Sequence, residues 1–142
     1  MQRLAENDGP DVSRASHMII DASALLALLQ DEPGSEVTEK ALEEGSISAA
    51  NLSEVAGKLI QAEVPEKEVL SILRSFDLDI VPVDEDTAFL AGALIKKTKD
   101  YGLSLGDRLC LATAILRDQP AVTADKAWAN VKHKGLEVVV VR

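Results

Sequence analysis

The chain has 142 residues, 46% hydrophobic and 27% charged, which is typical of one globular domain with its own core. Its net charge of −9 argues against a protein that coats nucleic acid by bulk electrostatics, although an enzyme can still bind RNA through a local basic patch and a metal ion. Aromatic residues make up only 3%, which argues against folds that stack bases on exposed rings.

The first seventeen residues differ from the rest of the chain. They show no apolar periodicity and lack the apolar stretch of a secretion signal. The pair His17-Met18 is similar to the junction that a cloning site leaves. We therefore interpret residues 1–17 as an expression leader or tag, predicted to be disordered, and expect one domain over residues 18–142.

Short apolar runs alternate with longer amphipathic segments from residue 18 onwards. Each run predicts a strand and each amphipathic segment a helix, with Gly45 and Asp84 as expected helix caps. This alternation predicts an α/β fold, with a mostly parallel sheet of four to five strands flanked by helices. The predicted strands are 18–20, 46–48, 78–83, 121–123 and 136–141, and the helices are 22–30, 36–45, 50–62, 66–76, 85–98 and 103–119, with a short helix after Asp125. Because residues 138–141 are all valine, we expect the last strand to be buried on both faces.

The helix at 103–119 carries the single cysteine, Cys110, on its apolar stripe. We interpret Cys110 as a small buried hydrophobic residue, and a lone cysteine is consistent with a reducing cytoplasm. No apolar run reaches the ~18 residues that a membrane span requires. The same helix begins with a charged pair, Asp107 and Arg108, which is unusual for a segment this apolar.

Four acidic residues are expected near one edge of the sheet. Asp21 follows the first strand, and Asp125 follows the fourth. Asp107 begins the helix before the fourth strand, and Glu54 lies in the helix after the second. Functional crevices of open α/β sheets lie beyond the carboxyl ends of the strands. Clustered carboxylates need a cation, and Mg²⁺ or Mn²⁺ there can activate water and neutralise a phosphodiester.

Each acidic residue also has an ordinary structural interpretation. Asp21 and Asp125 can cap the helices that follow them, and Asp107 can stabilise a helix N-terminus. Glu54 can pair with Lys58 one helical turn later. From the pattern alone, capping and metal binding both remain open. A Ser-His-Asp triad and a zinc site are disfavoured, because His133 is the only histidine in residues 18–142 and Cys110 the only cysteine.

Four segments together resemble the signatures of the PIN domain, and two of them resemble the VapC-type toxins of bacterial toxin–antitoxin pairs. The segments are MIIDASALLALL (18–29), SAANLSEVAGKL (48–59), GLSLGDRLCLATA (102–114) and VTADKAW (122–128). The resemblance covers almost all of residues 18–142, in order. It implies an endoribonuclease dependent on Mg²⁺ or Mn²⁺, which leaves 5′-phosphate and 3′-hydroxyl ends. It also implies a homodimer and a cognate VapB-type antitoxin.

The resemblance assigns the catalytic and metal-binding positions to Asp21, Glu54, Asp107 and Asp125, the last of which matches a position that varies in the family. Ser23 matches a supporting hydroxyl position beside the metal. We also interpret Arg108 as a candidate contact to RNA phosphates, together with four lysines whose usual interpretation is that of solvated side chains: Lys96, Lys97, Lys99 and Lys126.

Two further interpretations concern partners. Helices 22–30 and 66–76 are candidates for the antitoxin groove, although core packing explains their apolar residues equally well. Trp128 is either a core residue or an interface residue.

Other functions remain as alternatives. A PIN nuclease of RNA maturation shares the same site, and a neighbouring antitoxin gene distinguishes the toxin from it. A receiver-like signalling domain would need an acidic pair near the first strand and a phosphorylatable aspartate closing the third, but the third strand is followed by Asp84, a predicted helix cap. A haloacid-dehalogenase-type phosphatase would need Asp at position 23, where this chain has Ser23. A non-catalytic binding module predicts that loss of Asp21 changes neither activity nor metal affinity.

Overall fold

Five short parallel strands form one sheet in the computed structural model, which describes residues 17–142. Their order is β3-β2-β1-β4-β5, and every neighbouring pair is parallel. The strands are β1 (Ile19–Ile20), β2 (Ser46–Ser48), β3 (Asp79–Val81), β4 (Ala121–Thr123) and β5 (Val138–Val140). The predicted α/β fold is therefore confirmed. The predicted leader lies outside the described residues, apart from His17.

The helices follow the predicted order, with shifts of one or two residues at most of their ends. They are α1 (Ala22–Leu29), α2 (Ser35–Ala41), α3 (Ala49–Gln61), α4 (Glu66–Ser75), α5 (Glu85–Ala93), α6 (Ile95–Thr98) and α7 (Leu105–Arg117). The predicted helix over 85–98 is broken at Leu94 into α5 and α6, and the short helix after Asp125 is a 3₁₀-helix, Lys126–Asn130. Between residues 17 and 142, no helix has both the length and the apolar composition needed to cross a bilayer.

The core lies on both faces of the sheet, because successive strand side chains point in opposite directions. In β1, Ile19 packs with residues of α5 and α7, whereas Ile20 packs with residues of α1 and α3. Trp128 is fully buried in the first of these clusters, so it is a core residue of this chain. Cys110 is also fully buried, as predicted.

The prediction that the last strand is buried on both faces is wrong. The three valines of β5 are only half-buried. The sheet order explains the difference, since β5 is an edge strand that pairs only with β4. Its continuous apolar sequence nevertheless supplies Val141, just beyond the strand, to the core.

Gly45 ends the second helical segment where predicted, but for a different physical reason. Its φ of −83° is an ordinary extended conformation rather than the left-handed one of a glycine C-cap. A Cβ at this position would lie 2.5 Å from Ile20 Cδ1 and 2.6 Å from the carbonyl oxygen of Ala41. Glycine is therefore required by close packing of the chain onto β1.

Gly34 and Gly57 provide a matched pair for testing this fold. Gly34 has a φ of +91°, and a Cβ there would collide with the carbonyl oxygen of Val141. We expect Gly34→Ala to lower the free energy of unfolding by more than about 2 kcal/mol. Gly57 lies inside α3, where an added Cβ meets nothing within 4 Å, and Gly57→Ala should raise it by about 0.5–1 kcal/mol.

Urea denaturation of the two variants and the wild type measures both effects. Equal stability of the Gly34→Ala variant and the wild type would contradict the close approach of residue 34 to the chain after β5.

Candidate active site

Asp21 lies directly after β1, where it is the N-cap of α1 and only 2% exposed. Its Oδ2 accepts hydrogen bonds from Ser23 Oγ at 2.5 Å, Thr123 Oγ1 at 2.8 Å and the Ser23 backbone N–H at 3.4 Å. Among the described residues, no hydrogen bond is donated to its other oxygen, Oδ1. The carboxylate is therefore held through one oxygen, and the second is left for another ligand.

The pKa of Asp21 is raised from an ordinary value of 3.8 to about 6. Burial is the main cause and the negative charge of Asp107 adds to it, while the Ser23 and Thr123 hydrogen bonds lower the pKa. Within residues 17–142, ion pairs join His17 to Glu44, Arg117 to Asp79 and Arg142 to Glu32. None of them includes a predicted site carboxylate. The charge of ionised Asp21 is thus not balanced by a salt bridge in the described part of the chain.

Asp107 is positioned by a reciprocal cap at the beginning of α7. The Asp107 backbone N–H donates to Ser104 Oγ at 3.2 Å, and the Ser104 backbone N–H donates to Asp107 Oδ2 at 2.9 Å. Such a capping box satisfies two backbone donors that a helix otherwise leaves free. Asp107 therefore lies in the first turn of α7, and its charge is close enough to raise the pKa of Asp21.

Glu54 is held in place by two residues that the sequence analysis did not identify. Asn51 Nδ2 donates to Glu54 Oε1 at 2.8 Å and to the Gly106 carbonyl oxygen at 3.1 Å. A Cβ on Gly106 would lie only 2.7 Å from Glu54 Oε1, so the absence of a side chain there makes room for the carboxylate. The sequence signal was Asn51 one helical turn before Glu54, but the contact depends on how α3 packs against α7.

Asp125 lies further out than the other three acidic residues. It is exposed and caps the 3₁₀-helix, since its Oδ1 accepts from the Ala127 backbone N–H at 3.0 Å. Its own N–H donates to Thr123 Oγ1 at 3.1 Å, which links it to the hydroxyl beside Asp21. It lines a cleft of about 380 Å³ with Ser23, Lys126 and others.

The pKa of the buried Cys110 thiol indicates which carboxylates lie near it. Burial raises the pKa of its thiol, and so do, in decreasing order, the charges of Asp21, Asp107 and Glu54. Asp125 does not contribute to that shift or to the shift of Asp21. The fold therefore gathers three of the four predicted carboxylates near Cys110, in the first turns of α7, and leaves Asp125 at the rim.

The donor set fits a hard divalent cation in chemistry and in charge. Asp21 offers a carboxylate oxygen without a hydrogen-bond donor, and Asn51 Oδ1 is buried without a partner among the described residues. No group of three or more Asp, Glu, His or Cys side chains in residues 17–142 stands in a ready-made metal-binding cluster. Mg²⁺ commonly needs only one or two carboxylates, because waters and substrate phosphate complete its shell.

The predicted phosphate contacts have different surroundings. Arg108 Nε donates to the carbonyl oxygen of Ala91 at 3.1 Å, which ties α7 to α5. Lys97 Nζ lies 2.9 Å from His133 Nδ1, and Lys126 lines the cleft beside Asp125. Lys96 and Lys99 are exposed. Arg108 thus has a packing role that the sequence analysis did not predict.

The sequence is similar both to a family model and to individual known proteins. Residues 18–134 match the family model described as the PIN domain. Ribonuclease VapC42 of Mycobacterium tuberculosis is 30% identical over 116 residues, which cover 72% of this chain and 86% of that protein.

Solved structures share the fold at lower sequence identity. VapBC2 from Rickettsia felis, bound to a DNA fragment from its promoter, superposes with a TM-score of 0.68 at 18% identity and covers 86% of this chain and 96% of its own. VapBC-5 from M. tuberculosis, a member of the VapBC family of toxin–antitoxin systems, gives 0.64 at 21% identity and covers 89% and 99%. At these identities the superpositions establish the fold.

Replacing Asp21 by Asn tests the electrostatics of the site, because Asn removes the charge and retains an acceptor oxygen for Ser23 and Thr123. Since the folded-state pKa of Asp21 is raised from 3.8 to about 6, its contribution to stability is complete below pH 3.8 and lost as the pH rises to about 6. The wild type should lose roughly 2–3 kcal/mol of unfolding free energy in this way. The Asp21→Asn variant should not lose unfolding free energy in this pH range.

Urea denaturation at a series of pH values, with EDTA present, measures this difference. The exposed Asp125→Asn variant is the control and should follow the wild type. A pH dependence that is the same for Asp21→Asn and the wild type would show that Asp21 has an ordinary pKa.

Proposed function

The chain belongs to the PIN domain family, and on that premise we propose that it is a metal-dependent endoribonuclease that acts as the toxin of a toxin–antitoxin pair. Its relative at 30% identity is named a ribonuclease. The observation that carries the proposal is the buried carboxylate of Asp21, whose charge is unpaired and adjacent to that of Asp107. A divalent cation would neutralise both charges.

We assign the cation to Asp21, Asp107 and Glu54, with Asp125 as an outer residue that faces the substrate side. Mg²⁺ or Mn²⁺ bound there supplies activation of a water and neutralisation of charge on the phosphodiester. The residues of the chain hold the carboxylates in position. Ser23 and Thr123 hold Asp21 through Oδ2, and Asn51 holds Glu54 through Oε1.

These positioning contacts matter because catalytic groups act efficiently only when they are held close to the productive geometry. Ser23 Oγ accepts from the Ala124 backbone N–H at 3.0 Å, and it lies 3.1 Å from Thr123 Oγ1. The hydroxyls therefore connect the end of β1 with the end of β4. These hydrogen bonds favour the role beside the metal that the resemblance assigns to Ser23.

We propose a VapB-type antitoxin and a second copy of the chain as partners. The structures with similar folds include complexes described as VapBC. Helices α1 and α4 both pack against α3, and α4 exposes Leu70 to 51%, which provides apolar surface at the proposed antitoxin groove. Phe89 on α5 and Leu105 and Leu116 on α7 are at least half exposed, and they are available to a second copy. We place both partners and the RNA substrate in the cytoplasm.

The alternatives predict different results. The receiver-like interpretation has no support, because Asp84 is exposed at the N-cap of α5 and its charge does not contribute to the raised pKa of Asp21 or Cys110. A PIN nuclease of RNA maturation would cut RNA at the same carboxylates, but without an antitoxin. A binding module would have neither cleavage nor dependence on Asp21.

A map of new RNA 5′ ends in cells expressing the full chain tests the nuclease. We expect growth arrest and new 5′-phosphate ends at discrete sites, and Asp21→Asn and Asp107→Asn should reduce these cuts by at least about 100-fold, since each removes a charged ligand of the cation. Glu39→Gln is the matched control, because Glu39 is an exposed carboxylate on α2.

The Glu39→Gln protein should cut at the same sites as the wild type. Equal maps for the wild type and both Asp variants, with all proteins folded, would contradict the proposed nuclease. Cleavage without growth arrest, in a host that tolerates it, would favour RNA maturation over the toxin.

A further inference from the structure

The basic residues of this acidic chain are unevenly distributed. Of its fifteen Lys and Arg residues, six lie in two segments, 95–99 and 126–136, which contain no Asp or Glu. The six are Lys96, Lys97, Lys99, Lys126, Lys132 and Lys134. Acidic residues resume immediately outside these segments, at Asp100 and Glu137. Two regions that are separate in sequence are thus both purely cationic in a chain whose net charge is −9.

The fold brings these two segments together around one cleft of about 600 Å³. Lys97 comes from α6, and Lys132, His133 and Lys134 come from the loop that follows the 3₁₀-helix. Lys97 Nζ and His133 Nδ1 are 2.9 Å apart, so a direct contact joins the two sides. A cleft of this size is within the range of ligand-binding sites, and its charged groups are all cationic.

His133 orients the Lys97 ammonium group and leaves its charge in place. Partial burial lowers the pKa of the imidazole, and the charge of Lys97 lowers it further. A neutral imidazole nitrogen can accept a hydrogen bond from the ammonium group, which keeps its proton and its charge. The cleft therefore keeps three lysine charges, of which one has a fixed position.

The 3₁₀-helix Lys126–Asn130 contributes residues both to the basic cleft and to the smaller cleft beside Asp125. Lys126, at one end, lines the smaller cleft together with Ser23 and Asp125. Trp128 and Ala129, further along, line the basic cleft. A ligand that extends from the carboxylates along this short helix would reach Lys132 and Lys134 next.

We propose that the basic cleft binds the phosphate backbone of an RNA strand whose scissile bond lies at Asp21 and Asp107. This inference rests on the proposed function. The floor is apolar, with Val131 and Trp128 buried and Leu136 half-buried, and it presents no exposed ring face for stacking. RNA is favoured over an acidic protein because a substrate must occupy the adjoining cleavage site, whereas a protein partner need not.

Binding of this kind depends on salt and not on base sequence. Lysine contacts to phosphates release condensed counterions, so each contact on a single strand contributes about 0.7 to the slope of log affinity against log salt. The cleft therefore supplies affinity and register, and the choice of target is made elsewhere on the molecule.

Fluorescence anisotropy with a labelled, mixed-sequence single-stranded 20-nucleotide RNA tests the proposal. The full chain carries Asp21→Asn throughout, so that the probe is bound without being cut. Adding Lys132→Ala and Lys134→Ala should weaken binding at least about 5-fold near 0.1 M salt and lower the salt slope by about 1.4. Lys40→Ala with Lys67→Ala is the matched control, since both lysines are exposed on the distant helices α2 and α4.

Equal affinity and equal salt slope for the two double variants, or no RNA binding by either, would overturn the proposal. Competition by poly(glutamate) as effective as that by RNA of equal total charge would overturn it in favour of an acidic protein partner. Cleavage by the parent chain with Asp21 intact is measured separately. Absence of cleavage, with RNA binding that depends on Lys132 and Lys134, would reject the nuclease and retain the RNA-binding cleft.

Discussion

The buried carboxylate of Asp21 is the constraint on which this site depends. The backbone places it at the end of β1, between α1 and the neighbouring β4, where it is 2% exposed. Burial there raises the pKa of the group to about 6, so keeping it ionised at neutral pH destabilises the folded chain. A strained or costly arrangement of this kind is typical of functional sites, where stability is sacrificed for a preorganised group.

Capping does not exclude metal binding by the same side chains. Asp21 caps α1 and Asp107 completes a capping box at the start of α7. In both cases the hydrogen bonds fall on Oδ2, which fixes the position of the carboxylate at the edge of the core. Local helix chemistry thus holds the groups that the proposed function uses, and the observed caps do not argue against a cation at this site.

The topology could be predicted because it depends on local patterns. Apolar runs alternating with amphipathic segments are sufficient to predict a parallel sheet. Because Asp21 lies at the carboxyl edge of that sheet, the pattern also predicts that it lies near the beginning of α7, the helix before β4. The Asn51–Gly106 hydrogen bond could not be predicted, because it joins residues 55 positions apart and depends on helix packing. The same holds for Gly45, because glycine is needed there to avoid Ile20 Cδ1 and not for its own backbone conformation.

The role of Lys132 and Lys134 could not be predicted from the sequence either. The function of an exposed lysine depends on which residues lie across the cleft from it, and these are known only from the fold.

Calorimetric titration of the metal-free chain with Mn²⁺ at pH 7.5 measures cation binding at these carboxylates, and it needs no RNA and no knowledge of the target. We expect saturable binding to the wild type, which Asp107→Asn and Glu54→Gln each weaken by at least about tenfold, as expected for loss of a charged ligand. Glu39→Gln should bind Mn²⁺ as the wild type does. Binding of equal strength to all four proteins, or none to the wild type at millimolar Mn²⁺, would contradict the claim that these carboxylates hold a divalent cation.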